Sequence, residues 1–162
     1  ILENREAIQY YASIYFNHES IFFIGRNIDY AIGLEGSLKL KEISYIHSEA
    51  YAAGELKHGT IALMEPGTLV IALACQDFLY EKMVSNIQEI KARGAYVMAV
   101  AKEGNDAISK QSDKMIYIPE CRDEIVPLIS VVPLQLFAYY VAKERGCNID
   151  KPKNLAKSVT VE

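Results

Sequence analysis

The sequence predicts an α/β protein, a three-layer α-β-α sandwich around a mostly parallel sheet of four or five strands. Short apolar runs of strand length alternate with longer segments in which apolar residues recur every three or four positions. Because strands and helices alternate, each helix is expected to cross over the sheet and leave consecutive strands parallel. The chain has 162 residues, of which 51% are apolar and 23% charged. It is therefore long enough for one domain with a sizeable core.

The amino-terminal half begins with a helix predicted over residues 2–17. Its expected apolar stripe consists of Leu2, Ile8, Tyr11, Ile14 and Tyr15. Residues 20–25 form an apolar run that ends at a glycine, which is typical of a buried parallel strand. A long helix follows, for which Asn27 or Asp29 is the candidate cap. A shorter helical piece is predicted after Gly54.

The carboxyl-terminal half continues the alternation. Strands are predicted at residues 68–73, 95–101 and 115–118, and helices at 78–93, near Ile108 and at 123–145. Gly94 is placed to end the first of these helices in a left-handed conformation. Pro133 lies within the last helix, where it is expected to cause a kink. The pattern predicts one domain over residues 1–147 and a tail over 148–162 without helix or strand period.

The long helix carries a charged stripe on one face, because positions three and four apart stack. The stripe consists of Glu35, Lys39 and Glu42. We expect the opposite face, with Ser37, Lys41 and Ser44, to meet solvent and the stripe to point away from it. An ordinary surface ion pair between Glu35 and Lys39, worth about 0.2–0.5 kcal/mol, is the alternative. Buried charges are costly and usually persist where a site uses them, so both interpretations stay open.

Charge and cysteine content argue against several classes of partner. The net charge is −4 and there is no dense run of Lys or Arg, so nucleic acid is not expected as a partner. No stretch approaches 18 apolar residues and no signal peptide is recognised, so no membrane is expected. Three widely spaced cysteines fit the reduced thiols of a cytoplasmic protein. The chain begins Ile-Leu-Glu, which hints at a piece of something larger.

Common motifs of cofactor and metal sites are missing from the sequence. The first strand is not followed by GxGxxG, which disfavours a nicotinamide cofactor, and we find no P-loop, HExxH, CxxC or GxSxG. His18, His47 and His58 lack metal-ligand spacing, so neither a metal nor a cofactor is expected. His18 fits a surface turn and His47 the end of the long helix. His58 fits either a helix-end residue or a proton carrier.

Two stretches carry a resemblance to a known family. EGSLKLKEISYIHSEAYAAGELKHG at 35–59 and NLAKSVTVE at 154–162 together resemble the carboxyl-terminal part of the glutamine–fructose-6-phosphate aminotransferases. The resemblance covers essentially the whole chain. It points to the second half of their isomerase region, a sugar-isomerase (SIS) domain with a flavodoxin/Rossmann-like fold. Thr60 departs from the family, which usually has proline after KHG.

The resemblance implies a reaction of amino-sugar biosynthesis, in which fructose 6-phosphate and glutamine give glucosamine 6-phosphate and glutamate. It matches Lys157 to the lysine that forms a Schiff base with the sugar. It matches Glu42 to the carboxylate that moves a proton between C1 and C2, and His58 to the histidine that helps to open the ring. The remaining matches, to a proton-handling lysine and to substrate-binding positions, are Lys39, Glu35 and Ala156.

The residue types agree with these implied roles. A carboxylate beside a lysine on a half-buried helix face can remove and return a proton, and histidine titrates near neutrality. A Schiff-base lysine must be partly desolvated to be neutral and nucleophilic. A tail that closes over the active site would desolvate it.

The resemblance also implies partners. Family enzymes have a glutaminase domain with an N-terminal cysteine and a first SIS half whose Ser/Thr-rich loop holds the sugar phosphate, and neither feature is found here. They are homodimers, in which the histidine matched by His58 reaches the site of the neighbouring subunit. We expect the same pairing, with little activity for this chain alone. A non-catalytic sugar-phosphate-binding module and a purely oligomer-forming domain are the alternatives.

Overall fold

The structure is a computed structural model that describes residues 2–153, and it shows one five-stranded parallel sheet between two helical layers. The strands are β1 Ser20–Gly25, β2 His47–Ala52, β3 Leu69–Ala74, β4 Tyr96–Lys102 and β5 Lys114–Ile118. The helices are α1 Arg5–Tyr15, α2 Ile28–Ser44, α3 Tyr80–Lys91, α4 Asp106–Ser109 and α5 Val126–Glu144. Short 3-10 helices cover Leu2–Asn4, Ala53–His58, Thr60–Leu63 and Asp77–Leu79. The predicted α/β sandwich is confirmed.

The sheet has the strand order β2-β1-β3-β4-β5, and all of its pairs are parallel. Successive side chains of a strand point to opposite faces, so β1 places Phe23 in one core and Phe22 in the other. Helices α1, α2 and α5 cover the first face, while α3, α4 and two 3-10 helices cover the second. Strand β3 is buried along its whole length, which explains its unbroken apolar run.

Strand β2 was not predicted. We expected the long helix to extend to His47, but α2 ends at Ser44 and His47 is the first residue of β2. Among the strands described, β2 pairs only with β1 and so forms an edge of the sheet. Its sequence, HSEAYA, is mostly half-buried and polar. It therefore lacks the apolar run by which inner parallel strands are recognised.

Two of the three α2 residues that we expected to meet solvent, Ser37 and Ser44, lie on its core face, whereas Lys41 is exposed as expected. Ser37 and Ser44 are 1% and 0% exposed. Ser44 Oγ donates to the carbonyl of Leu40 at 2.6 Å, and Ser48 Oγ donates to Ser37 Oγ at 3.1 Å. These hydrogen bonds offset the cost of burying hydroxyl groups. The stripe residues Glu35, Lys39 and Glu42 lie away from this core face but are half-buried, so the stripe is neither in the core nor fully exposed to solvent.

Small residues on α2 also set its distance from its neighbours. A Cβ atom at Gly36 would lie 2.7 Å from Leu134 Cδ1 of α5 and 3.0 Å from Phe23 Cε1 of β1. Real Cβ contacts of this kind are rare, so only glycine allows α2 to approach both elements this closely. Gly36 therefore sets how closely α2 packs against α5 and β1.

Helix α1 buries Ile8, Ala12 and Tyr15, which follow one another at spacings of four and three. Leu2 and Ile14, two members of the predicted stripe, are 64% and 42% exposed. The stripe is rotated because Ala12 lies at the centre of the buried face of α1, on the side that packs against α5. A single alanine gives little signal in a pattern of large apolar residues.

Helix α5 packs against both α1 and α2. Among the described residues, α5 is the one helix that is long and apolar enough to cross a membrane, with a mean hydropathy of 1.4. We had expected no stretch of this length and apolarity. However, half of that apolar stretch is buried inside the protein. Phe137 and Val141, for example, belong to the core between α5 and the sheet. Burial of this kind is typical of a core helix in a globular fold.

The described chain ends at Lys153, so the predictions for Ala156 and Lys157 lie outside the described residues, and so does most of the predicted tail. The boundary between residues 147 and 148 stays a prediction. Cys147 N donates to the carbonyl of Ala142 at 2.9 Å, and Lys151 N donates to Asn148 Oδ1 at 2.9 Å. The first bond closes the end of α5, and the second forms a turn in the segment that follows it.

Candidate active site

The charged stripe of α2 forms one connected group. Lys39 Nζ lies 2.7 Å from Glu42 Oε2 and 3.8 Å from Glu35 Oε1. The side chain of Glu42 is 22% exposed, and those of Lys39 and Glu35 are 35% and 40% exposed. The hydrogen bond from Lys39 to Glu42 raises the pKa of Lys39 against the opposing effect of burial. Lys39 is therefore an ammonium at neutral pH.

This group lies at the amino-terminal edge of the sheet. Helix α2 begins beyond Gly25, the last residue of β1, and runs back to the start of β2. The first residues of β1 and β2, Ser20 and His47, are paired in register. Glu42 lies in the last turn of α2, near the amino ends of both strands.

The segment that follows α5 meets α2 at the same place. Tyr45, the first residue after α2, accepts a hydrogen bond from the backbone N–H of Lys153 on its hydroxyl at 2.9 Å. The ammonium of Lys153 lies 5.2 Å from the centre of the Tyr45 ring. Cys147 Sγ is 3.8 Å from the carbonyl oxygen of Ser44. Sequence reasoning missed this contact, because 108 positions separate Tyr45 from Lys153.

His58 lies at the opposite edge of the sheet. It follows β2 at the end of the 3-10 helix Ala53–His58, which Leu56 anchors in the core. Its side chain is 63% exposed, and Nε2 is 3.9 Å from Glu55 Oε2. Strand β2 separates it from the stripe, and six residues of strand span roughly 17–20 Å. One copy of the chain does not bring His58 to Glu42.

Strand β2 carries a row of polar side chains that the sequence did not suggest as a group. His47, Glu49 and Tyr51 alternate along the strand, so they share one face. His47 Nε2 is 3.9 Å from Glu49 Oε1, and the Tyr51 hydroxyl donates to Glu49. That hydrogen bond raises the pKa of Tyr51, with burial adding to it. The row explains why β2 stays polar at the edge of the sheet.

The carboxyl ends of β1 and β3 form the position where ligands usually bind in sheets of this strand order. Here the protein's own side chains fill much of it. Arg26 Nε donates to Asn86 Oδ1 at 3.0 Å, and Gln76 Nε2 donates to the carbonyl of Arg26 at 3.0 Å. Asn27 Nδ2 donates to Gln76 Oε1 at 3.1 Å. The side chains of Arg26, Asn27 and Gln76 at this edge are thus all engaged by other groups of the protein.

Neither predicted cap residue of α2 caps it. Asn27 adopts φ 53° and its side chain makes no cap hydrogen bond. Asp29 is 1% exposed and accepts a hydrogen bond from Cys75 N on Oδ2 at 2.9 Å. Its Oδ1 has no partner among the described residues. Burial raises the pKa of Asp29 to about 6, against the opposing effect of its hydrogen bonds.

Lys102 forms a second cluster, at the carboxyl end of β4. Its ammonium lies 3.0 Å from Asp77, 2.9 Å from Asp123 and 3.7 Å from Glu120, and its side chain is 4% exposed. Burial acts to lower the pKa of Lys102, but hydrogen bonds to Asp123 and Asp77 outweigh it and raise that pKa. An open cleft of about 690 Å³ lies beside the cluster. These ion pairs join loops, and they leave no neutral amine for chemistry.

Comparison with known proteins places the fold in a family. The family model described as the SIS domain matches residues 14–145. The chain belongs to the SIS domain family. No group of three metal-ligating side chains occurs within residues 2–153 of this SIS domain.

The SIS domain is similar along its whole length to longer enzymes. It is 64% identical over 162 residues to glutamine–fructose-6-phosphate aminotransferase [isomerizing] of Caldanaerobacter subterraneus and 56% identical to that of Clostridium acetobutylicum. Each match covers all of this chain but only 27% of the relative. The C-terminal domain of glucosamine-fructose-6-phosphate aminotransferase from Francisella tularensis has a similar structure. Its TM-score is 0.85 at 35% identity, covering 93% of this chain and 42% of that one.

Proposed function

We propose that this SIS domain is the acid–base half of the isomerase region of a glutamine–fructose-6-phosphate aminotransferase. The observation that carries the proposal is the Lys39–Glu42 pair at the end of α2, beside the point where the segment after α5 arrives. The identity to two such enzymes along the whole chain supports it. The substrate would be fructose 6-phosphate, and the product glucosamine 6-phosphate.

Glu42 is the proton carrier in this proposal. Its carboxylate takes a proton from C1 of the sugar imine and returns it at C2, which converts the ketose skeleton into an aldose that bears nitrogen on C2. Lys39 donates a hydrogen bond to Glu42 and keeps a positive charge beside it. A charge-assisted hydrogen bond of this kind orients a carboxylate. Partial exposure of Glu42 leaves one side of it open to a substrate.

The imine-forming amine must come from another lysine, because Lys39 is held as an ammonium and an ammonium has no lone pair to attack a carbonyl. Lys157 is the candidate. It follows Lys153 by four residues, and a chain reaches at most about 3.6 Å per residue, so roughly 14 Å in all. Lys153 is hydrogen-bonded to Tyr45, and Tyr45 lies three positions after Glu42. The amine of Lys157 would condense with the C2 carbonyl and release water. Ammonia would then displace Lys157 from C2, which frees the lysine amine and leaves the imine nitrogen that the product keeps.

His58 would act in the site of a second copy. Within one copy, Glu42 lies near the start of β2 and His58 lies beyond its end. The side chain of His58 is exposed enough to contact a neighbouring subunit. Leu34 and Leu38 on the outer side of α2 are 46% and 42% exposed, and exposed apolar side chains of this size fit a subunit contact. The proposal therefore includes a homodimer. Light scattering of the chain should give twice its 18.2 kDa mass.

The remaining parts of the reaction would come from elsewhere. A glutaminase domain would supply ammonia, and a first SIS half would hold the sugar phosphate with Glu35 and Ala156 as further contacts. The chain spans about a quarter of the length of the aminotransferases that it matches. Its three cysteines are free thiols, which fits a reducing compartment such as the cytoplasm.

The decisive experiment uses a chimera in which this chain replaces the segment that it matches in the Caldanaerobacter relative. Borohydride added with fructose 6-phosphate should trap the sugar on Lys157, as read by mass spectrometry of peptides. Lys157→Arg should abolish trapping, and Lys151→Arg, the matched control, should not. Trapping that continues unchanged in Lys157→Arg would overturn the assignment. Sugar binding without any trapping or turnover would favour a non-catalytic binding module.

A further inference from the structure

We infer that Tyr45 is a positioning residue that fixes the start of the carboxyl-terminal segment beside Glu42. This inference rests on the proposed function, because it concerns where Lys157 can act. The hydroxyl of Tyr45 accepts the N–H of Lys153 at 2.9 Å, and the ring lies under the ammonium of the same residue. One side chain thus holds both the backbone and the side chain of Lys153.

The backbone of Tyr45 gives a second and independent reason. Tyr45 has φ 61° and ψ 17°, a left-handed conformation, and its N–H donates to the carbonyl of Lys41 as the cap of α2. Glycine and asparagine are the usual residues at such a cap, because a larger side chain is strained there. A tyrosine in this position indicates that its side chain has a use that offsets the strain. The contact with Lys153 is that use.

The geometry of the segment agrees with an anchor at this point. Asn148 Oδ1 accepts the N–H of Lys151 and forms a turn, and Cys147 meets the carbonyl of Ser44. The segment therefore contacts the end of α2 twice, at Ser44 and at Tyr45. The second contact comes one turn of helix after Glu42. Lys157 is four residues farther along, so chain length limits it to roughly 14 Å from the Lys153 anchor.

The test compares Tyr45→Phe, which removes only the hydroxyl, and Tyr45→Ala, which also removes the ring, with Tyr139→Phe as the control. Tyr139 is 41% exposed, close to the 38% of Tyr45. In the chimera, loss of one hydrogen bond should slow borohydride trapping on Lys157 and kcat by about 3- to 10-fold in Tyr45→Phe. Tyr45→Ala should lose more, and KM for fructose 6-phosphate should stay close to that of the parent in both.

A second measurement separates anchoring from stability. Exchange of the Lys153 amide hydrogen, followed by NMR in the 162-residue chain, should be about 3- to 10-fold faster in Tyr45→Phe and unchanged in Tyr139→Phe. Trapping at the parent rate in Tyr45→Phe would overturn the inference while the proposed function stands. If the parent chimera itself fails to trap sugar on Lys157, the proposed function and the inference fail together. Faster exchange with unchanged trapping would also refute the positioning role.

Discussion

The two ends of helix α2 carry acidic residues in opposite environments. At its amino end, Asp29 is 1% exposed and fixed to the loop after β3. At its carboxyl end, Glu42 is 22% exposed and paired with Lys39 on the outer side of the helix. The first carboxyl group is part of the architecture. The second remains partly exposed.

This difference indicates where in the fold a candidate site can lie. The carboxyl ends of parallel strands are the usual ligand position, but here the side chains of Arg26, Asn27 and Gln76 are engaged in hydrogen bonds within the protein. Within residues 2–153, the stripe at the other end of α2 forms ion pairs among its own members, and the segment after α5 contacts Tyr45, three positions after Glu42. The candidate site is therefore at the amino-terminal edge of the sheet, opposite to the position that the fold alone would suggest.

The largest effect expected at the carboxyl end of α2 is that of Glu42→Gln. The substitution keeps size and removes basicity, so exchange of the C1 hydrogen of the sugar with solvent should fall by about 10²–10⁴-fold in the chimera. Glu35→Gln is the control, since Glu35 lies farther from Lys39 and should lose much less. Equal losses in the two variants would remove the distinction between these carboxylates.

At the amino end of α2, Asp29 should make stability depend on pH. Its pKa is raised to about 6, above the ordinary value of a free aspartate. Folding therefore gains stability from its protonated form, fully present below about pH 4 and lost as pH rises through 6. Relative to Asp29→Asn, the parent should gain roughly 2 kcal/mol in free energy of unfolding between pH 7.5 and pH 4. Urea denaturation followed by circular dichroism measures this, and a constant difference would contradict the burial argument.

Between the two ends, the glycines of the core face offer a matched pair. Gly36→Ala should destabilise the protein by about 1–2 kcal/mol, because its Cβ meets Leu134 and Phe23 at 2.7 and 3.0 Å and overpacking outweighs helix propensity. Gly33→Ala should stabilise it by about 0.5–1 kcal/mol, because the nearest atom there is 3.6 Å away. Thermal unfolding of both variants checks the pair. The changes in stability of the two variants must have opposite signs.

The smallest effect belongs to Lys39→Gln. Half-exposed ion pairs contribute little, so the free energy of unfolding should change by less than about 1 kcal/mol. The same variant should lower activity in the chimera, because Glu42 loses its hydrogen-bond donor. Urea denaturation at low and high salt, together with turnover, checks both statements. A loss of stability larger than that of Gly36→Ala would show that the stripe is structural.

The sequence was a good guide to the inner strands and a poor one to α2. An unbroken apolar run predicts strand β3, whereas edge strand β2 is polar and half-exposed and gives no such pattern. Ser37 and Ser44 were misplaced because a buried serine and an exposed one look alike in a sequence. Helical periodicity indicated the stripe, and the resemblance gave roles to its residues and to His58, but neither showed that they lie at opposite edges of the sheet. The contact between Tyr45 and Lys153 depends on folding across 108 positions.

Helix α5 also has a consequence for synthesis of the protein. It covers the inner sides of α1 and α2, so Ile8 and Leu40 share a core with Phe137. About a hundred positions lie between the end of α2 and the end of α5, and a ribosome adds about 5–20 residues per second. During translation, the apolar sides of α1 and α2 therefore stay without their contacts to α5 for roughly 5–20 s after α2 is complete. Until α5 emerges, the nascent chain presents the kind of surface that chaperones shelter.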